Sequence, residues 1–479
     1  MAEPKAGANQ PHADKSKTVK KSQIEVAAHE IAEHLKKGRA DYIEARLEES
    51  WGSTIGYRGR VLETIGKSSS VGGSIRALVR GGWGFTSFNN LEELDSRVKL
   101  AIAQARAVGK EKSQLADIAP AQAKLRLSPG HNPLTVPLTH KKELLDRYNE
   151  IIWATSKLQT SIIRYGDARK KTIFLNSEGA FIEQERADVT LNVSAIASNS
   201  HDVQQANLST GSPGDYAAIA KLDDEIASVA TRASNLLAAP HLPGGKYTVV
   251  LDPILAGVFV HEAFGHLSEA DHVCENPELR SLMRLGKCFG PRTLNIVDGA
   301  KVKGLRGSYL YDDEGVPATK TYLIKDGILT GRLHSRETAA KMGEPASGNA
   351  RALSYRHPPI VRMTNTYIES GQADFQDMIA DIKEGVYAVN WYGGTTSMEM
   401  FTFSAGEAYM IRNGHLAEMI KPVVLSGNVF TTLANIDAIG CDLAFNQGGG
   451  CGKGGQSPLP VSNGSPHIRL QKCLVGGKA

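Results

Sequence analysis

Residues 239–266 have the sequence APHLPGGKYTVVLDPILAGVFVHEAFGH, and this stretch divides the chain into two parts. The prolines and glycines of 239–245 interrupt the periodic apolar pattern on either side, which is typical of a linker. The apolar run 247–251 then predicts a buried strand, and the segment that contains His261 predicts a helix. We therefore expect an N-terminal domain over 23–239 and a second domain over 240–479.

The pattern before the linker mixes helices with strands. Helical spacing of apolar residues predicts four amphipathic helices, at 24–37, 91–108, 141–158 and 222–238. Alternating patterns predict strands at 41–49, onward to 88 with breaks at Gly72-Gly73 and Gly81-Gly82, and at 162–197 around a turn at 176–179. After the linker, strands predominate, with hairpin turns at 325–327 and 412–414. The expected class is α+β: a helix and sheet domain, then a β-rich domain with the metal-binding helix.

Charge argues against nucleic acid or a membrane as a partner. The chain has a net charge of +4 over 479 residues, but residues 1–22 hold five lysines against Glu3 and Asp14. The remainder is nearly neutral, whereas a nucleic-acid or anionic-membrane surface needs a concentrated basic face. Residues 1–22 show no periodic apolar pattern, so we expect a disordered lysine-rich tail there.

The cysteines predict a reducing compartment, the cytoplasm. Five cysteines are sparse, odd in number and confined to the second half, unlike the dense even sets of small secreted domains. No apolar region follows the N-terminal charges, and the most apolar stretch, 248–260, is too short for a bilayer and contains Asp252 and Pro253.

The segment from His261 to His266 carries the chemistry. It places two imidazoles and Glu262 within six residues, directly after an apolar run. Zinc binds neutral imidazole, a catalytic zinc site keeps one position open, and a glutamate beside the first histidine can reach water at that position. The alternative is that these residues lie together by chance on a surface helix.

The spacing of the two histidines requires a distorted helix. They are five residues apart, and on an ideal helix their side chains diverge by about 140°. A single π-type bulge, or local unwinding at Gly265, would bring both imidazoles to one side, and such bulges concentrate at functional sites.

A third metal ligand must come from elsewhere in the chain. The candidates are Cys451, Cys274, Cys288, His272, Asp271, Glu269 and His334. We favour Cys451, because its loop, QGGGCGKGG at 447–455, lets the backbone approach a metal closely; otherwise it is a small buried apolar residue. The loop does not match a phosphate-binding P-loop, since Gln447 and Gly454 stand where glycine and Ser or Thr are needed. There is no Gly-x-Ser-x-Gly motif for a serine hydrolase.

At this level of detail the sequence resembles the TldD/PmbA family over residues 24–479. The motifs that carry the resemblance are HEAFGH at 261–266, DDEG at 312–315, SRETA at 335–339, GNAR at 348–351, RMTNTY at 362–367 and the Cys451-Gly-Lys loop. The resemblance implies a TldD-like, metal-carrying member with zinc ligands His261, His266 and Cys451, one Zn²⁺ per active chain, and Glu262 as catalytic base. It also implies a homodimer, or a heterodimer with a TldE-like (PmbA-like) subunit.

The resemblance further implies a peptidase for unfolded peptides or small labile proteins, such as leader peptides and antitoxins. The alternative function is a metal-stabilised, non-catalytic adaptor or modulator of a larger complex, which would have no use for Glu262. Residues 312–315 could form a second metal or acid site or an acidic turn. Tyr309, His334 and Arg336, with Tyr311, are candidates for stabilising an oxyanion or binding substrate, and the sequence does not select among them.

Overall fold

The computed structural model describes residues 22–127 and 130–476. The predicted lysine-rich tail lies outside the described residues except for Ser22. The backbone N–H of Ser22 donates to the Glu25 carboxylate at 2.8 Å, at the start of the first helix. Ser22 therefore belongs to the folded part of the chain.

A seven-stranded sheet forms the first part of the fold. Its strands are β1 (Tyr42–Arg58), β2 (Val61–Val79), β3 (Gly82–Phe88), β4 (Gln122–Leu125), β5 (Leu158–Asn176), β6 (Phe181–Ser198) and β7 (Val203–Ser212). The order is β3-β2-β1-β5-β6, and β4 and β7 both pair with the outer edge of β6. All neighbours are antiparallel except β4 and β6. The predicted turn at 176–179 joins β5 to β6, as expected.

Four helices cover this sheet, as the apolar spacing predicts. They are α1 (Gln23–Lys37), α2 (Leu94–Val108), α3 (Leu138–Trp153) and α4 (Asp223–Leu236). α1 and α2 contribute to one apolar core with the first strands, and α3 and α4 contribute to another beside β5 and β6. α3 begins three residues earlier than predicted and ends at Trp153, before the predicted end at Leu158. The chain then turns at Lys157, whose φ is +66°, and enters β5.

The predicted break at Gly72-Gly73 is wrong, because both glycines lie inside β2. The turn between β1 and β2 falls instead at Gly59, whose φ is +57°. A Cβ on Gly72 would lie 2.4 Å from the Tyr355 ring, and one on Gly73 would lie 2.5 Å from Leu47. These glycines allow close approach of neighbouring side chains; they do not turn the chain. The break at Gly81-Gly82 is confirmed.

The second part contains many short strands. They are β8 (Gly245–Leu251), β9 (Ile296–Gly299), β10 (Lys320–Lys325), β11 (Ile328–Leu329), β12 (Ala350–Arg351), β13 (Ile360–Val361), β14 (Asn365–Ile368), β15 (Glu384–Ser397), β16 (Met400–Arg412), β17 (His415–Ile420), β18 (Val424–Asn428), β19 (Ile436–Ile439), β20 (Ala444–Asn446), β21 (Gly450–Lys453), β22 (Gln456–Pro460), β23 (Ser462–Ser465) and β24 (Ile468–Gly476). The predicted hairpins at 325–327 and 412–414 join β10 to β11 and β16 to β17.

Five of these strands close into a ring in the order β15-β8-β24-β18-β16, and β16 pairs back with β15. A second sheet has the order β11-β10-β9-β14-β23-β20. Six short helices accompany them: α5 (Pro253–Val260), α6 (Ala270–Glu275), α7 (Pro277–Leu282), α8 (Arg336–Met342), α9 (Phe375–Ile379) and α10 (Val429–Ala434). The predicted α+β class with a β-rich second part is confirmed.

The ring positions the segment that carries His261. β8 is paired on both edges, with β15 and with β24, and the chain passes directly from β8 into α5. Phe259 of α5 packs against Phe401 and Phe403 of β16, with ring centroids 5.2 and 6.1 Å apart. A rigid strand and an aromatic cluster therefore fix the end of α5.

The chain crosses from the first sheet to the ring between Leu236 and Gly245. The domain boundary at residue 240 stays a prediction, since strand pairing alone does not define where a folding unit ends. Among the helices of residues 22–127 and 130–476, none combines the length and apolarity that crossing a membrane requires.

Candidate metal centre

The backbone between the two histidines is distorted in the way their spacing requires. α5 ends at Val260, and residues His261–Gly265 form a π-helical turn in which the N–H of His266 donates to the carbonyl of His261. A Cβ on Gly265 would lie 2.0 Å from the sulfur of Met363, so a larger residue would require the Met363 side chain to shift. The predicted π-type bulge is confirmed. It brings the imidazoles together, with ring centroids 5.5 Å apart.

The third group reaches this site from a distant hairpin. Cys451 lies in β21, which pairs with β22 around a turn formed by Gly454 and Gly455, both with positive φ. The thiol is 1% exposed, and its sulfur is 3.5 Å from Nε2 of His266. One donor atom each from His261, His266 and Cys451 lies within 4.8 Å of the other two. Of the seven third-ligand candidates, Cys451 joins the two histidines in this cluster.

An arginine fixes the loop that leads into β21. The Arg306 guanidinium donates to the carbonyls of Gln447 and Gly449, each at 2.6 Å, and pairs with Asp188 of β6. The glycine-rich loop is therefore clamped to the first sheet, and Cys451 has a defined position.

Burial and proximity set the charge states of the three groups. Burial raises the pKa of Cys451, but His261 and then His266 lower it more, to about 5. Burial lowers the pKa of both histidines, yet the Cys451 thiolate beside His261 and the Glu269 carboxylate beside His266 raise them above their ordinary value. The two imidazoles therefore favour the thiolate of Cys451, which is the form that binds metal ions.

Glu269 orients His266, a role that the sequence reasoning did not identify. Its carboxylate is 0% exposed and accepts a hydrogen bond from Nδ1 of His266 at 3.0 Å, which leaves Nε2 directed at Cys451. Burial raises the pKa of Glu269, but His266 and Lys453 lower it more, to about 2. A carboxylate behind a histidine ligand in this way fixes its tautomer and increases its basicity. The sequence spacing could have indicated this contact, because Glu269 follows His266 by three residues, a separation at which side chains often meet.

Lys453 occupies the centre of a second group of potential ligands. Glu269, Asp271 and His272 also have ligand atoms within 4.8 Å of one another. The Lys453 ammonium lies 3.0 Å from Glu269 and 2.7 Å from Asp271, so a cation of the chain itself already neutralises these carboxylates.

Three of the four candidates for stabilising an oxyanion, Tyr309, His334 and Arg336, are bonded elsewhere. The Tyr309 hydroxyl donates to the carbonyl of Gly348 at 2.6 Å, and Arg336 makes two bonds to Glu178, at 2.8 and 3.0 Å. Nε2 of His334 lies 3.0 Å from Glu344. These three side chains are buried and line neither of the two cavities described below. Their predicted role stays untested.

The acidic stretch 312–315 is a turn. One oxygen of Asp312 accepts from the N–H groups of Glu314 and Val316 at 2.9 and 2.8 Å, and its other oxygen accepts from Ala350. Gly315 completes the turn with φ of +77°. The carboxylate of Asp312 is therefore used by the backbone, and the interpretation as an acidic turn is confirmed.

Two cavities meet at Glu262. Cavity A, about 440 Å³, is lined by residues of both parts of the fold, and cavity B, about 550 Å³, by residues of the second part. His261 borders cavity A, His266 borders cavity B, and Glu262 borders both. The Glu262 side chain is 35% exposed, and its carboxylate lies 3.8 Å from Nε2 of His266. A carboxylate open to solvent therefore stands beside the three donor atoms, at the junction of two spaces that a substrate could enter.

Three family models match the chain in succession. They are PmbA/TldA metallopeptidase domain 1 over residues 43–106, the central domain over 131–239 and the C-terminal domain over 244–477. Together they include the metal centre and most of both parts of the fold.

Similar proteins are found among curated sequences and solved structures. A metalloprotease of Synechocystis is 49% identical over 444 residues, which cover 92% of this chain and 96% of that protein. A zinc metalloprotease TldD homolog of Saccharolobus solfataricus is 31% identical, with 85% and 90% covered. The crystal structure of TldE from Thermococcus kodakarensis has a TM-score of 0.75 at 16% identity and covers 94% of this chain and all of that one. The last similarity concerns the fold alone.

Proposed function

This chain belongs to the PmbA/TldA metallopeptidase family, and from that premise we propose that it is a zinc-dependent peptidase. In this proposal His261, His266 and Cys451 hold one zinc ion, and Glu262 is the catalytic base. The observation that carries the proposal is the convergence of three donor atoms within 4.8 Å, beside a carboxylate that borders two cavities.

The donor set fits zinc. Two imidazoles and a thiolate are ligands that zinc prefers, and three protein ligands leave the fourth tetrahedral position open, as in catalytic sites. Nδ1 of His261 is buried and has no hydrogen-bond partner within residues 22–127 and 130–476, which is costly unless something else satisfies it. When bound, the ion would supply a Lewis acid that polarises a carbonyl and water.

In this proposal Glu262 moves protons between water and the leaving group. Its carboxylate would accept a proton from the attacking water and return it to the amine that leaves when the peptide bond breaks. The side chain borders both cavities, so it can reach groups on either side of a bond held at their junction. Glu269 and Lys453 would keep His266 in one orientation throughout, because Glu269 is buried and bonded to both His266 and Lys453.

The proposed substrates are unfolded peptides held in extended form. β15 pairs with β8 only at residues 385–388, so its outer edge from 389 to 397 has no partner strand in the described chain. Residues of this part of β15 border both cavities. An extended peptide could add to this edge through backbone hydrogen bonds, whereas most of the backbone of a folded protein is already paired internally.

We further propose that the protein acts as a dimer in the cytoplasm. The partner would be a second copy or a TldE-like chain, and the similarity in fold to a TldE makes such a chain the natural candidate. All five cysteines are unpaired, which suits a reducing compartment. Sedimentation of the purified chain, alone and mixed with a TldE-like chain from the same organism, tests this. A monomer under both conditions would contradict it.

Glu262→Gln tests the catalytic proposal against a non-catalytic adaptor. We expect peptide cleavage to fall at least about a hundredfold, since a general base contributes about 10² to 10⁴. Zinc content should stay the same, because Glu262 is not among the three ligand groups. The matched control is Glu278→Gln, which removes the same charge from an exposed helix outside both cavities. Equal cleavage by Glu262→Gln and the unmodified chain would show that Glu262 is not the base.

A further inference from the structure

The hairpin formed by β15 and β16 carries a concentration of exposed apolar side chains. Sixteen large apolar residues are exposed in the described chain, and four of them lie within residues 391–400. They are Trp391 (38% exposed), Tyr392 (50%), Met398 (44%) and Met400 (53%). Grouped apolar side chains on a protein surface mark binding sites far more often than single ones do.

This hairpin runs past the proposed base. Trp391 and Tyr392 line cavity A, Met398 lines cavity B, and Glu262 lies at the junction of the two cavities. An extended peptide that crosses this junction would therefore meet apolar surface on both sides of the bond beside Glu262. Methionine adapts its shape to different side chains, so Met398 suits a site that accepts many sequences.

The two cavities differ in charge. Apart from His261 and Glu262, the charged side chain that lines cavity A is Arg232, and its guanidinium already pairs with Glu407. The other groups there are amides, hydroxyls, and aliphatic and aromatic side chains. With His261 and Glu262 engaged in the proposed reaction, a charged substrate side chain would lose water in cavity A and gain no free charged partner. Cavity B also contains the exposed carboxylate of Glu275, whereas its Lys453 is already paired with Glu269 and Asp271, so a positively charged substrate side chain would find a partner there.

We propose that this hairpin selects peptides by apolar side chains on both sides of the bond that is cut, and that cavity A accepts only uncharged ones. The inference rests on the proposed peptidase function and adds a substrate class to it. Large apolar side chains are mostly buried in folded proteins and become accessible when a chain unfolds. Recognition of such side chains would direct the enzyme to unfolded chains, independently of backbone pairing.

Peptide binding tests the first part. The probe is a fluorescent ten-residue peptide of Ser, Gly and Asn with a central Phe-Leu pair, compared with the same peptide bearing Ser-Ser, and its affinity for the full chain with Glu262→Gln is measured by anisotropy. We expect the Phe-Leu peptide to bind about tenfold more tightly, and Trp391→Ser or Met398→Ser to remove most of that difference. Leu416→Ser is the matched control, because Leu416 is 45% exposed on the same sheet and lines neither cavity.

The outcomes separate this inference from the peptidase proposal. Equal affinity for the two peptides would overturn the selectivity, while cleavage by the zinc-loaded chain would leave the peptidase proposal intact. Retained preference for Phe-Leu without cleavage of any peptide would overturn the catalytic proposal alone. If Trp391→Ser instead changes the sedimentation of the chain and leaves peptide affinity unchanged, the hairpin is a contact between subunits and the inference is wrong.

Cleavage of a peptide series tests the second part. Lys or Glu is placed at each of the two positions on either side of the cut bond, and kcat/KM is measured with identification of the products. We expect either charge to lower kcat/KM about tenfold or more on one side, and Lys to have a smaller effect on the other, where Glu275 can pair with it. Equal tolerance of charge on both sides would overturn the assignment of cavity A.

Discussion

Replacement of Glu269 by glutamine examines how the metal centre is held. Glu269 accepts the hydrogen bond of Nδ1 of His266 at 3.0 Å and pairs with Lys453 at 3.0 Å. Glutamine has the same size and keeps a carbonyl oxygen as acceptor, but it carries no charge. The change therefore removes the electrostatic support of the His266 imidazole with little effect on packing.

The magnitude follows from the role of the carboxylate. Removal of a group that orients a metal-ligating histidine typically weakens metal binding about 10- to 100-fold, which corresponds to about 1.4 to 2.7 kcal/mol. Lys453 keeps a partner in Asp271 at 2.7 Å, so the substitution does not leave the ammonium buried without a counter-ion. We expect the fold to survive and the zinc dissociation constant to rise within that range.

Competition with a chromophoric chelator of known affinity measures the zinc dissociation constant directly. Circular dichroism of the zinc-free chains checks that the fold is the same. Glu278→Gln removes an equal charge from an exposed position nearby and should bind zinc as the unmodified chain does. If Glu269→Gln binds zinc as tightly as that control, Glu269 does not support the site and His266 is oriented by other contacts.

Three further substitutions test other parts of the structure. Burial raises the pKa of Asp252 to about 7, so the folded state holds this proton to higher pH than the unfolded state and stability falls as pH rises from about 4 to 7. In Asp252→Asn the free energy of unfolding, measured with urea, should fall less between pH 4 and 7, by up to about 4 kcal/mol. The same fall in the variant and the unmodified chain would contradict this prediction. Gly265→Ala, with a Cβ 2.0 Å from the Met363 sulfur, should lower the free energy of unfolding by about 1 to 3 kcal/mol; an unchanged value in urea would show that Met363 moves aside freely. Arg306→Lys should cost about 2 kcal/mol and weaken zinc binding, because lysine cannot hold both carbonyls of the loop before Cys451; unaltered zinc affinity by chelator competition would show that the clamp is dispensable.

The sequence predicts the long helices and strands of the fold well, but it predicts poorly whether a glycine forms a turn or lies inside a strand. Strand alternation and helical spacing depend on neighbouring residues, so β5, β6 and the four long helices are recognisable without tertiary information. Gly72 and Gly73 have the same local signature as a turn, and only the position of Tyr355, far away in sequence, shows why glycine is needed there. The short helices after Gly265 cannot be recognised from the sequence, because five to seven residues hold too little periodicity.

The metal centre could be predicted in part. The five-residue spacing of His261 and His266 requires a distorted backbone, and that requirement is local. Cys451 could be favoured over other ligands from its glycine-rich loop, but its approach to His266 depends on strand pairing nearly 200 residues later in the chain. The role of Glu269 was missed because it depends on Lys453 as well as on His266.

The separation of the ligands has a consequence during synthesis. His261 leaves the ribosome long before Cys451, and β24, which pairs with the strand leading into α5, is synthesised after both. If the three groups hold the zinc ion together, a growing chain cannot be active before residue 451 has emerged from the ribosome. Such a delay would protect the nascent polypeptide, which is itself unfolded, from being digested by its own N-terminal portion. Zinc retention by ribosome-bound chains that end before and after residue 451 would reveal whether the delay exists.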